Sequence, residues 1–210
     1  VSDRLLSSTN VPAPFRNTLL DDYDVKWPRA RRSAFRQVEE WDPSDSKPAL
    51  LLEGAPNRAK TMLAAGLLNE YHKPLTSSVT GSALTQLRQE KLPIYFIQLA
   101  EFIDLHLRTF RLHDQVMKSL VQPDEYLEID QLLQDLKVRV KVLVIDDVGK
   151  EHHTATGFAE DAFDLLVRTR HNNGLTTIYT SNLKVQQWGS TYSDSMASII
   201  KRSSTIVTFD

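Results

Sequence analysis

The chain has 210 residues, 41% of them hydrophobic and 25% charged, with a formal net charge of −2. That balance fits one large cored domain and excludes a disordered tail, a fibrous repeat and a uniformly basic nucleic-acid binder. No apolar run approaches the roughly 18 residues of a spanning helix, and the absence of cysteine rules out disulfides, thiolate zinc sites and thiol nucleophiles, so a cytoplasmic protein without membrane contact is expected.

Residues 1–27 are polar and punctuated by proline; Pro12 and Pro14 disfavour helix, and an extended N-terminal arm is expected, followed by a single domain over 28–210. The opening at Val1 and the end at Asp210, straight after an apolar run, lead to the expectation of a piece of a longer chain. A first helix is expected from Pro28, with Ala34, Val38 and Trp41 on one face and Asp42-Pro43 as its stop. Leu50-Leu51-Leu52 reads as a buried strand, and the chain then turns through residues 54–59 into a helix over 60–71. The Ser/Thr-rich stretch 73–93 is expected to be a surface loop with a short helix at 83–90.

A second strand is expected over Ile94 to Leu99, then a long helix carrying Phe102, Leu105 and Leu112 on one side, a break at Pro123, and a helix near Ile129 to Leu136. Val140 to Ile145, almost all β-branched, reads as a strand buried on both faces. Phe158, Ala162, Leu165 and Leu166 recur at helical spacing up to the stop signal Asn173-Gly174, and strands at Thr176 to Thr180 and Thr205 to Phe209 follow. Five strands alternating with helices imply an α/β fold: a parallel sheet with helices on both faces.

The loop Gly54-Ala55-Pro56-Asn57-Arg58-Ala59-Lys60-Thr61-Met62 lies between strand and helix and ends in Lys-Thr. Backbone N–H groups at such a helix start face an anion, Lys60 reaches the outer phosphates, and the Thr61 hydroxyl ligates Mg²⁺. Two positions depart from the phosphate-loop pattern: Asn57 and Ala59 stand where glycines are usual, and glycine there permits positive φ and close approach of the backbone. Val142-Leu143-Val144-Ile145-Asp146-Asp147 puts two carboxylates at the end of a buried strand, where ligands of open parallel sheets sit. The first is expected to hold Mg²⁺, and the second to orient or deprotonate an attacking water.

With these pieces in place the chain resembles the DnaC/DnaI helicase loaders and the related transposition helper IstB. The resemblance runs from Pro14-Phe15-Arg16-Asn17, with Leu20 and Tyr23, through the loop at 54–61 and the segment Tyr95-Phe96-Ile97 into Glu101-Phe102-Ile103-Asp104. It continues in Val144-Ile145-Asp146-Asp147-Val148-Gly149-Lys150-Glu151 and in Asn173-Gly174-Leu175-Thr176-Thr177-Ile178-Tyr179-Thr180-Ser181-Asn182. It implies an AAA+ P-loop NTPase core with sheet order 5-1-4-3-2, ATP and Mg²⁺ as cofactors, Asn182 as the sensor of the terminal phosphate, and a replicative DNA helicase and single-stranded DNA as partners, with self-association possible.

One family feature is missing. Where relatives carry an arginine that reaches a neighbour's nucleotide, this chain has Ser198-Ile199-Ile200, and Arg202 is the candidate replacement beside Lys201. For nucleic acid, Arg29, Arg32 and Arg36 share a helix face with Arg31 adjoining, ordinarily a solvated basic face, whereas Arg108, Arg111 and Lys118 lie where loader and initiator relatives meet single-stranded DNA. His152-His153, without a third ligand in register, reads as a loop pair. Three functions remain open: a slow loader ATPase, an IstB-like transposition helper acting on duplex DNA, and a loader-like scaffold that has lost nucleotide.

Overall fold

A computed structural model describes residues 9–24, 32–43, 46–72, 93–119, 122–150 and 157–209. Five parallel strands, β1 Ala49–Gly54, β2 Ile94–Gln98, β3 Val142–Val148, β4 Thr176–Ser181 and β5 Ser204–Phe209, form one sheet in the order β2-β3-β4-β1-β5. This is the expected order written from the other edge. Helices α1 Arg32–Glu39, α2 Lys60–His72, α3 Leu99–Met117, α4 Asp124–Val138, α5 Phe158–Asn172 and α6 Asp194–Ser203 connect and cover it.

Strand periodicity sorts the core into two layers. Leu51, Ile97, Leu143 and Ile145 face α3 to α6, whose Phe102, Leu133, Phe163 and Met196 close over them. Leu50, Leu52, Phe96 and Val144 face α1 and α2, meeting Val38, Leu63, Ala64 and Leu68. Both faces are thus sealed, which explains why these strands are nearly uninterrupted apolar runs.

The chain before the first strand is not extended throughout. It holds a 3₁₀ turn at Ala13–Phe15 and a helical turn at Asp21–Asp24. Val11 is buried, the Thr9 carbonyl accepts from the Phe96 N–H at 2.9 Å, and Asn10 Nδ2 donates to the Phe96 carbonyl at 2.9 Å. Residues 9 and 10 therefore cap part of the edge strand β2, an edge that would otherwise offer unpaired backbone groups. Asn69 of α2 ties down the same segment by donating to the carbonyls of Phe15 and Thr18 at 2.8 and 2.9 Å.

Three further expectations shift. Helix α4 starts at Asp124, a full turn before the apolar stretch, and carries Asp124 and Glu125 in its first turn, where they suit the helix dipole. Val140 is buried but precedes β3, and Leu165 turns outward with 53% exposure instead of joining the core face of α5. The proposed helix start at Pro28, the basic residues Arg29 and Arg31, the stretch 73–92 with its short helix, and His152-His153 lie outside the described residues.

Arg170, in the last turn of α5, is wholly buried. Its Nε donates to Thr177 Oγ1 at 2.9 Å, Nη1 to the carbonyls of Leu136 and Val140 at 2.6 and 2.9 Å, and Nη2 to the Thr176 carbonyl at 2.6 Å. Burial pulls the guanidinium pKa down to about 10, with Tyr179 acting in the opposite direction, so the group stays charged at neutral pH. One side chain thereby fastens the end of α4, the turn into β3 and the start of β4. Arg170→Met strands three buried carbonyls, each costing ~1–3 kcal/mol unpaired. Its urea unfolding midpoint is expected to fall by the equivalent of ~3 kcal/mol or more at unchanged slope; a gain in stability would show that the cost of burying the cation outweighs its bonds.

Candidate functional site

The polar residues of the sheet gather at the C-terminal strand ends. β1 finishes in Gly54, whose φ of +129° and whose fit against β5 both demand glycine: a Cβ there would lie 2.1 Å from the Phe209 carbonyl oxygen. The chain turns through Ala55, Pro56 and Asn57, all exposed, and through the half-buried Arg58 and Ala59, and α2 begins at Lys60. Asn57 and Ala59 both take left-handed backbone, with φ of +59° and +60°. The loop thus keeps the conformation for which phosphate loops use glycine, although neither residue is one. Asn tolerates it, whereas Ala pays ~1–2 kcal/mol of steric strain.

Lys60 is 6% exposed, and its ammonium donates to the carbonyls of Gly54 at 2.9 Å and Ala55 at 2.7 Å and to Asn182 Oδ1 at 3.0 Å. All three N–H bonds are used. Burial lowers its pKa, opposed by Asp147 and Asp146 and reinforced by Lys150 and Arg58. Thr61 Oγ1 donates to Asp146 Oδ1 at 2.9 Å, and Thr180 Oγ1 donates to the same oxygen at 2.6 Å. Burial holds the Asp146 pKa above the ordinary carboxylate range; the Thr180 and Thr61 hydrogen bonds and the more distant Lys150 pull the other way, while the neighbouring Asp147 adds to the rise.

The structure brings together Lys60, Thr61, Asp146 and Asn182 from three separate segments, as the sequence led us to expect. Asp147 follows at φ +58°, its N–H donating to Thr180 Oγ1 at 3.0 Å and its Oδ1 paired with Lys150 at 2.8 Å. Thr180 and Lys150 were not singled out from sequence. Thr180 sits two residues before Asn182, hence on the same side of the strand end, which is the signal that would have found it. Glu53 is the other addition: buried at the end of β1, it accepts from the Val185 N–H at 2.7 Å and from Thr208 Oγ1 at 3.1 Å, bracing the loop after Asn182 against β5.

The residues fit a nucleotide with Mg²⁺. Thr61 and Asp146 place two hard oxygen donors side by side, and no cluster of three His, Cys, Asp or Glu exists among the described residues, so a metal here would take the rest of its shell from water and phosphate, as Mg²⁺ commonly does. Arg202 is exposed on α6, away from the buried Ile199 and Ile200. The candidate nucleic-acid residues on and after α3 are exposed, but Arg108 pairs with Glu125 and Lys118 with Asp114 at 2.6 Å; Arg111 has no ion-pair partner among the described residues. Arg32 and Arg36 are on the exposed face of α1.

No family model matches the sequence, and no curated protein is significantly similar to it. Solved structures do match the fold. The DnaC helicase loader superposes with a TM-score of 0.59 at 20% identity, covering 95% of this chain and 100% of that one. DnaI gives 0.57 at 20% identity over 96% of each chain. The replication initiator DnaA, bound to AMPPCP and single-stranded DNA, gives 0.60 at 14% identity, covering 96% of this chain and 51% of its own. The fold is the one these proteins share. No helix among the described residues is long and apolar enough to cross a membrane.

Two outcomes follow from the geometry. Ala59→Gly relieves the left-handed strain at the cost of greater freedom in the unfolded chain, for a net gain of ~0.5–1 kcal/mol in chemical denaturation; a loss would show that Ala59 packing outweighs its strain. Because the Asp146 pKa is raised in the folded state, the native protein holds its proton at pH values where the unfolded chain has lost it. Stability contributed there is present at low pH and falls as pH rises through the folded value. Asp146→Asn removes that fall and is expected to be more stable than the parent at neutral pH, with the difference closing in acid.

Proposed function

We propose that this chain is a slow Mg-ATP-dependent ATPase of the helicase-loader type, whose nucleotide state governs contacts with a replicative helicase and single-stranded DNA. One observation carries the reading: the Lys60 ammonium bonded to Asn182, with the Thr61 hydroxyl on Asp146, joins the loop, the acidic strand end and the sensor position at one point beyond the C-terminal strand ends. The DnaA structure with AMPPCP and single-stranded DNA supports it by analogy of fold.

The backbone of residues 54–62 with Lys60 would hold the phosphates, and Thr61 with Asp146 the Mg²⁺. Bound Mg-ATP supplies a phosphoryl group whose transfer to water releases free energy. Asp147 would take a proton from that water, and its pairing with Lys150 orients it. Asn182 turns its oxygen to Lys60, leaving its two amide N–H donors for an acceptor in the same space. A trans-acting cation is worth about 10³ to 10⁵ in rate, and with Ile199 where relatives place arginine, Arg202 or a partner must supply it.

Calorimetry tests the first half: the full chain is expected to bind ATP or ADP, and Lys60→Ala to abolish the heat. No heat at millimolar nucleotide would overturn the reading in favour of a scaffold that has lost nucleotide. Steady-state ATPase tests the second. Turnover is expected to be slow alone and to rise with protein concentration, Arg202→Ala to lower it while sparing ATP binding, and single-stranded DNA to act where duplex does not. Stimulation by duplex alone would favour an IstB-like role.

A further inference from the structure

The loop from Gly54 to Thr61 carries two cations, and they differ in what they bond. The Lys60 ammonium gives its three N–H bonds to Gly54, Ala55 and Asn182. Arg58 is half-buried, its Nε is buried with no hydrogen bond, and no carboxylate among the described residues pairs with its guanidinium. The carboxylates of this rim are engaged elsewhere. Asp146 Oδ1 accepts from Thr61 and Thr180, Asp147 Oδ1 pairs with Lys150, and Glu53 accepts from Val185 and Thr208. Buried polar groups are almost always paired, so the Arg58 Nε–H calls for an acceptor from outside the chain.

The chemistry of that acceptor follows from the donors. An Nε–H and the neighbouring Nη–H form one planar edge, which takes two oxygens of a single anion. Burial is the main cause of the lowered Lys60 pKa, and the charges of Lys150 and Arg58 add to it against those of Asp147 and Asp146. Two like charges that act on one another favour a ligand with more than one negative charge, such as a chain of phosphates. The residues on either side point the same way. Asn57 and Ala59, at φ of +59° and +60°, carry a Cβ where phosphate loops use glycine, and a Cβ hinders close approach of the backbone to the anion. A long charged side chain between them reaches an anion that the backbone meets less closely.

We infer that the Arg58 side chain is itself a phosphate ligand, taking two oxygens of a polyphosphate chain through its Nε and Nη donors and so making up for the backbone contact that Asn57 and Ala59 hinder. The inference rests on the nucleotide reading for the presence of a polyphosphate at this loop. It adds a charged ligand at a position that the phosphate-loop pattern leaves open to any residue.

Calorimetry on the full chain with Mg²⁺ tests this, with tripolyphosphate and ATP titrated in turn. Arg58→Met keeps much of the side chain's length without its charge and is expected to weaken both ligands about ten- to a hundredfold, the worth of a hydrogen bond to a charged group. Arg58→Lys keeps the charge and loses the fork, and is expected to stay weaker than the parent. A readout on the parent alone comes from NMR: the Arg58 Nε–H resonance, assigned by its absence from Arg58→Met, is expected to shift saturably with tripolyphosphate. In a parent that binds ATP, unchanged affinity in Arg58→Met, full affinity in Arg58→Lys, or an unmoved Nε–H resonance overturns the assignment and leaves the nucleotide reading standing. Arg58-dependent binding of tripolyphosphate without binding of ATP keeps the phosphate ligand and overturns the nucleotide reading. A parent that binds neither overturns both.

Discussion

A parallel sheet covered on both faces leaves charge one place to collect, the rim beyond the strand ends, and the rest of this molecule is arranged around that constraint. Leu50, Leu51 and Leu52 are wholly buried, and the next residue, Glu53, is already polar; Val144 and Ile145 are wholly buried, and Asp146 follows. β1, β3 and β4 thus place their apolar residues in the core and a charged or hydroxylated side chain where they emerge. Because β3 and β4 are adjacent, Asp146 and Thr180 meet on one face of the strand ends without any loop having to bring them together, while Glu53 turns to the other face and braces the loop after Asn182. Lys60 then enters from α2 and is surrounded by oxygen.

The same constraint explains how a loop lacking two of its usual glycines keeps its shape. The path from Gly54 to Lys60 is fixed at both ends, by the close fit of Gly54 against β5 and by the three bonds of the Lys60 ammonium. Between these anchors the backbone must reverse within five residues, and the left-handed turns at Asn57 and Ala59 accomplish it. A steric cost of ~1–2 kcal/mol at an alanine is small beside a core in which each buried leucine contributes ~1.5–3 kcal/mol. Backbone shape is therefore set by the fold around the loop, and side-chain identity at 57 and 59 changes its strain more than its course.

Much of this was legible in the sequence, for reasons that differ by residue. The strands announced themselves because both their faces are buried, Lys60 and Thr61 because a loop between strand and helix ends in Lys-Thr, Asp146 because it follows an apolar strand, and Asn182 through the family resemblance. What stayed hidden depends on long-range pairing. Arg170 in the last turn of a helix has the pattern of a solvated residue at the C-terminal dipole, and only the approach of the turn into β3 buries it. Lys150 in sequence is one charge of a surface stretch; its pairing with Asp147 comes from the turn after β3. Leu165 misled in the opposite direction, since helical spacing places it beside Leu166 in the pattern while α5 turns it outward. Arg108 and Lys118 were expected as contacts for single-stranded DNA; Glu125 and Asp114 engage them, a pairing the sequence did not announce, and Arg111 has no ion-pair partner among the described residues.

The missing arginine becomes intelligible on α6. Ser193 caps this helix by accepting from the Met196 N–H at 3.0 Å, which fixes where its faces point. Met196, Ala197, Ile199 and Ile200 then face the core, and Ser198, Lys201 and Arg202 are exposed. An arginine at 199 would stand on the buried face of this helix, where an unpaired charge is costly. The exposed positions of α6 are 194, 195, 198, 201 and 202, and of these only Lys201 and Arg202 are cations. Of these, Arg202 alone presents the planar fork that matches phosphate oxygens in pairs, while Lys201 offers a point charge. With isoleucine at 199, α6 therefore carries its exposed cations, Lys201 and Arg202, within one turn further along the helix.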